Sequence, residues 1–201
     1  MSINVCNDRS MASITSLPSG VSGGSLVLLE TQTASSSSTI SFTSNIDSTY
    51  KEYIFKFIDI HPSAEYAHFS FQADTGTNTN YNQTITSTSW TSTSNEGGTE
   101  AIINYQTASD QAQGTGFQYL TDQLEADNDS CAAGTLHIFD PSNTTFVKQF
   151  FSTMSIMTDN PAADNYFTGG KFNTTSAINA VQFKFASGNI DSGVIKLYGV
   201  S

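Results

Sequence analysis

The side chains best equipped for recognition in this chain are aromatic. Trp90, Tyr81, Tyr105, Tyr119 and Tyr166 all stand beside small polar residues. An aromatic face stacks on a sugar ring while neighbouring amides and hydroxyls supply hydrogen bonds. The same rings also serve at the margin of a fold or between subunits. Trp90, with Ser and Thr on both sides in the run TITSTSWTST, is the first candidate for exposure. For the set as a whole, packing in the core or against a neighbour outweighs sugar binding.

Catalytic and metal-binding patterns are weaker. Gly20-Val21-Ser22-Gly23-Gly24 matches the G-x-S-x-G nucleophile elbow. That motif works only where a strand enters a strained turn and a helix leaves it. Here a polar, Pro-containing stretch precedes it and a strand pattern follows, so it reads as a hinge, and no catalytic residue is assigned. His61, His68 and His137 lack metal-ligand spacing. His61 precedes Pro62 at a strand end, while His68 and His137 fall within strands on sides facing solvent or a partner. The run Glu125-Ala126-Asp127-Asn128-Asp129 alternates oxygen ligands of the kind Ca²⁺ takes. It lacks the glycine and distal glutamate of an EF-hand loop and equally suits a hydrogen-bonded turn. No metal or cofactor is expected. Cys6 and Cys131 have no C-x-x-C partner, and their spacing leaves open whether they pair.

Composition narrows the partners. Eighteen acids against seven bases give a net charge of -11 over 201 residues, and 29 Ser and 26 Thr supply most of the polarity. With a single arginine and scattered lysines there is no basic surface for nucleic acid, whose binding depends on releasing counterions from phosphates. No apolar run is long enough for a helical membrane span, so no membrane insertion is expected. Low charge together with ordinary aromatic content argues for a folded chain. The first 25 residues contain no apolar core of the signal-peptide type, which predicts folding in a cytoplasm and reduced cysteines.

The elements that must position these groups are strands. Residues 1–24 are polar, carry Pro18 and three glycines, and read as an N-terminal extended arm, with Ile3, Val5, Ile14 and Leu17 as its apolar contacts. Residues 25–201 alternate short apolar runs with Ser, Thr, Asn and Gly clusters. Strands are expected at 25–31, 38–43, 52–60, 66–72, 81–88, 100–106, 135–139, 145–151, 165–172, 179–185 and 193–199. In 52–60, Tyr53, Phe55 and Phe57 point one way and Ile54, Ile58 and Ile60 the other, as in a strand apolar on both faces. In 179–185, Val181, Phe183 and Phe185 face in while Gln182 and Lys184 face out. The single helical signal is 117–126, where Leu120 and Leu124 stand four apart. The pattern predicts an all-β, antiparallel, jelly-roll-like sandwich of about ten or eleven strands.

Two segments resemble a known group. Leu26–Ala73 contains LL-x-T-x-T-A-S followed by I-x-F-x-x-x-I-D-x-x-Y-x-x-Y, and Ile178–Val200 contains S-G-x-I-x-x-G-x-I-x-L-Y-G. Both are similar to stretches of small virion structural proteins of tailed, often marine, bacteriophages. The resemblance covers both ends of the β body, and the middle fits only in composition. It implies a non-enzymatic place in a particle, as a capsid decoration or cement protein or a tail or fibre component, located in the virion after assembly in a host cytoplasm. Its partners would be other virion proteins and further copies of itself, trimers among the arrangements. The alternative is a receptor- or carbohydrate-binding module of a tail fibre that takes a host surface glycan.

Overall fold

The computed structural model describes residues 26–76, 79–157 and 162–201. The arm residues Ile3, Val5, Ile14 and Leu17, together with Cys6 and the Gly20–Gly24 motif, lie outside that range. The described chain forms thirteen strands and one short 3-10 turn: β1 (Leu26–Ser37), β2 (Ile40–Phe42), β3 (Glu52–Pro62), β4 (Ala67–Thr75), β5 (Ile85–Asn95), β6 (Ala101–Tyr105), β7 (Ala112–Gly114), β8 (Gln118–Leu124), β9 (Ala132–Phe139), β10 (Lys148–Met157), β11 (Ala162–Phe172), β12 (Ile178–Phe185) and β13 (Ile190–Val200).

They build two antiparallel sheets. The larger has nine strands in the order β1-β13-β3-β9-β10-β11-β5-β6, with β7 also on β5, and the smaller runs β2-β12-β4-β8. Eight of these strands (β1, β2, β3, β4, β8, β9, β12 and β13) alternate between the sheets as a jelly roll does. Counted along the chain, the first, eighth, third and sixth lie side by side, facing the second, seventh, fourth and fifth. The other five are insertions. β5 to β7 leave between β4 and β8, β10 and β11 leave between β9 and β12, and all five extend the larger sheet.

The core lies between the sheets and is built from phenylalanine. Phe183 of β12 is fully buried, with ring centroids 5.0 Å from Phe55, 5.2 Å from Phe57, 5.9 Å from Phe69 and 6.1 Å from Phe42. Rings at these spacings, mostly edge to face, contribute beyond the apolar area they bury. Alternation puts Val181 and Phe185 on the same side, as expected, with Gln182 and Lys184 half-exposed.

Three expectations need correction. The 117–126 stretch is not a helical turn: Gln118–Leu124 is β8, and both Leu120 and Leu124 are buried. Residues four apart share a face in a strand as well as in a helix, so the spacing was ambiguous. With β7 as the other addition, the count rises to thirteen. The third concerns β3, whose residues do not alternate throughout. Tyr53, Phe55 and Phe57 are buried and Ile54 and Ile58 lie on the outer side, but Ile60 is fully buried with the phenylalanines. A register shift between Phe57 and Ile60 inserts Asp59 at φ +50°, which returns Ile60 to the core. Across from it, Gly193 has φ +126°, and a Cβ there would fall 2.8 Å from the Asp59 carbonyl oxygen, so this bulge requires glycine.

Candidate functional site: the outer face of the nine-stranded sheet

The Ser/Thr-rich strand β5 alternates between exposed and buried through its middle, from Thr88 to Thr91. Ile85, Ser89 and Thr91 are buried, while Thr88, Trp90 and Ser94 are exposed on the outer face. Sheet order then places Trp90 directly opposite Phe167 of β11 and, on its other side, opposite Tyr105 of β6. The indole lies flat against Phe167, with centroids 4.0 Å apart and planes 12° from parallel, and it remains 39% exposed. Tyr105 is exposed. Its hydroxyl donates to the Asp110 carboxylate and accepts a 3.2 Å hydrogen bond from the Thr88 hydroxyl. Three aromatic rings thus stand side by side on adjacent strands.

A second row crosses the same face one step along. Leu28, Tyr198, Ile54, His137, Phe151, Gly169 and Thr88 are successive cross-strand partners from β1 to β5. Phe151 is 43% exposed and stacks on His137 at 4.4 Å. Nδ1 of His137 is hydrogen-bonded to Glu52 at 2.6 Å, which fixes the ring plane. Gly169 leaves a gap beyond Phe151, since a Cβ placed there would meet nothing within 4 Å. The gap belongs to a shallow trough of about 440 Å³ lined in part by Thr88, Gln149, Gly170 and Lys171. At roughly 4.8 Å per strand, the stripe from β1 to β6 is about 34 Å wide. Lys56 and Lys196 stand opposite each other on this face, with Lys56 Nζ 5.2 Å from the Tyr198 ring.

The remaining aromatic candidates are elsewhere. Tyr119 is half-buried on the smaller sheet and stacks on His68 at 4.3 Å. Tyr81 and Tyr166 are buried, which removes them as ligand contacts and leaves them the packing role that outweighed sugar binding for the set. Tyr166 occupies an inward position of β11, and burial pushes its hydroxyl up to about 12. The neighbours Asn165 and Phe167 point outward, so polar company in sequence said nothing about its own face. Phe167, Phe151 and His137 were not singled out from the sequence. The signal was available in the outward parity of their strands, but it becomes meaningful only when the strand order is known.

Chemistry at the other candidate sites is limited. In the Glu125–Asp129 turn the backbone is occupied: Ser130 N donates to Asp127 O, His61 Nε2 is 3.0 Å from the same oxygen, and Ala126 N donates to Glu65. Among the described residues no three His, Cys, Asp or Glu side chains are arranged to hold a metal ion. Cys131 is exposed, and its thiol is pushed up by partial burial and then by the Asp59 carboxylate, the opposite of an activated nucleophile. What the outer face offers is flat aromatic area with hydroxyl and amide edges, suited to packing or stacking.

No family model matches the chain, and no curated protein matches it. A solved structure it is similar to is a protein of unknown function from Bacteroides ovatus, at 10% identity and a TM-score of 0.27, over 53% of this chain and 46% of that one. The chain therefore spans less than half of that protein's length, and so slight a likeness carries no functional argument.

Proposed function

We propose that this chain is a non-enzymatic assembly protein of a tailed-phage particle, present in many copies as a decoration, cement or tail-associated component. The observation that carries the reading is the open outer face of the larger sheet. Leu28, Phe151, Trp90 and Tyr105 stand exposed on one face of the same sheet, linked across the intervening strands by Tyr198, Ile54, His137 and Phe167. Contiguous apolar surface of this kind marks contact with other macromolecules. Its setting of Ser and Thr leaves little charge to desolvate when neighbours close over it. The particle context of this reading is supported by the resemblance of Leu26–Ala73 and Ile178–Val200 to virion proteins, with which a jelly-roll order is compatible. The N-terminal arm would engage a neighbouring subunit.

A chain lacking residues 1–22 should fold and fail to enter particles. Its incorporation at wild-type level would count against the arm's role, and absence of the protein from purified particles would end the proposal. Copy number then separates positions: hundreds per particle means capsid surface, and a handful means tail or fibre.

The Trp90–Phe167–Tyr105 row favours a second reading, a glycan-binding module of a fibre. Sugar rings stack on such platforms. Binding on a glycan array that is lost in Trp90→Ala would support it over the assembly reading.

A further inference from the structure

We infer that β6 is a self-association edge, on which β6 of a second copy pairs antiparallel and joins the two larger sheets into one. This deepens the assembly reading and rests on it.

Exposed sheet edges are normally protected by shortness, bulges, charge or proline. The other edges here show such protection. β1 is bulged between Leu28 and Glu30, and the Glu30 carboxylate is tied to Gln32 and Asn45. β2 and β7 are three residues each. β8 has a register shift against β4 and carries Asp122. β6, AIINY, has no charge, no proline and no register shift against β5, and all five of its residues are exposed, Ile103 to 75%.

The hydrogen-bond parity tells which groups are offered. Gln106 N donates to Ser89 O, and Asn95 N donates to Glu100 O. In the continuous register between them, the even-numbered β6 residues bond to β5. The N–H and C=O groups of Ala101, Ile103 and Tyr105 therefore point outward along an edge that no other described strand pairs, while their side chains lie on the outer face.

A second copy suits that edge because the strand is complementary to itself. Centred on Ile103, two antiparallel copies place Ile103 against Ile103 and Ala101 against Tyr105. The neighbouring acid Glu100 falls opposite Gln106 of the second copy, so the carboxylates of two acidic chains are kept apart. A two-fold axis satisfies both edges at once and uses the same residues twice. The outer faces of the two larger sheets would then be continuous, with Tyr105 of each copy beside Ala101 of the other.

The test is sedimentation of the full-length chain from about 1 μM to about 1 mM, with circular dichroism confirming the fold of each variant. The expected result is a dimer retained in Ile103→Val and weakened about tenfold or more in Ile103→Lys, which opposes two ammonium groups. It should also be lost in Ile103→Pro, which removes the outward N–H. A dimer unchanged in Lys and Pro variants overturns the β6 assignment and leaves the assembly reading standing. A dimer abolished by deleting residues 1–22 but unaffected by Ile103→Lys assigns the contact to the arm and overturns it equally. A monomer throughout the range also overturns it, while particle incorporation independently decides the assembly reading.

Discussion

Phe183→Ala and Phe151→Ala remove the same side chain from the two faces of the sandwich, and the outcomes should be far apart. Phe183 is fully buried, and its ring meets Phe42, Phe55, Phe57 and Phe69 within about one ring diameter. Truncation forfeits the transfer energy of the ring and leaves a cavity that the rings of three neighbouring strands, β2, β3 and β4, cannot close. Phe→Ala at such sites costs about 3–5 kcal/mol. For a chain of this length each kcal/mol lowers the midpoint by about 2–4 °C, so Tm should fall by roughly 6–20 °C. Phe151 is 43% exposed on the outer face and touches His137 and Phe139 on one side only. Its loss should cost roughly 1 kcal/mol or less in stability, yet it should weaken any association through that face. Urea and thermal unfolding of both variants, with sedimentation alongside, measure the contrast. A Phe183→Ala cost below about 1 kcal/mol, or a larger cost at Phe151, would refute the assignment of core and outer face.

Other perturbations test separate parts of the structure. Gly193→Ala should destabilise by about 1–3 kcal/mol in chemical denaturation, since its φ and the 2.8 Å approach to Asp59 O both oppose a Cβ. Asp164 is buried on β11; burial pushes its carboxyl up, opposed by a hydrogen bond from Thr93 and reinforced by Asp122 and Glu100. A raised folded value means that the native state binds the proton more tightly. Stability should therefore fall as pH rises from the unfolded value of 3.8 through the raised one, and Asp164→Asn should flatten that slope in pH-dependent melts. Tyr105→Phe, which removes the hydroxyl shared with Asp110 and Thr88, should change stability by no more than about 1 kcal/mol because the site is exposed.

Some elements were legible because alternation is a local property. Val181, Phe183 and Phe185 against Gln182 and Lys184 define β12 without knowledge of any partner. Trp90 was legible as an exposed ring because an alternating Ser/Thr strand has no other bulky group. Tyr166 was not, since Asn165 beside it belongs to the opposite face. Leu120 and Leu124 misled because a spacing of four fits both periods. Ile60 misled because a single inserted residue, Asp59, reverses parity beyond it, and nothing in the string EYIFKFIDI marks that insertion.

The amino-acid sequence by itself determined the chemistry available. It specified an acidic, Ser- and Thr-rich chain of short alternating strands, without a basic surface, whose best-equipped groups for recognition are aromatic. These are properties of composition and of neighbours along the chain. Tertiary structure decided which aromatics meet. Trp90, Phe167 and Tyr105 are separated by up to 77 positions, and they become neighbours only because β5 inserts between β11 and β6 at the margin of the larger sheet. Strand order is set by long-range backbone pairing and by burial of the phenylalanine core, neither of which has a period in the sequence. That same order leaves β6 last in the sheet, with its outward amides and carbonyls unpaired by any other described strand.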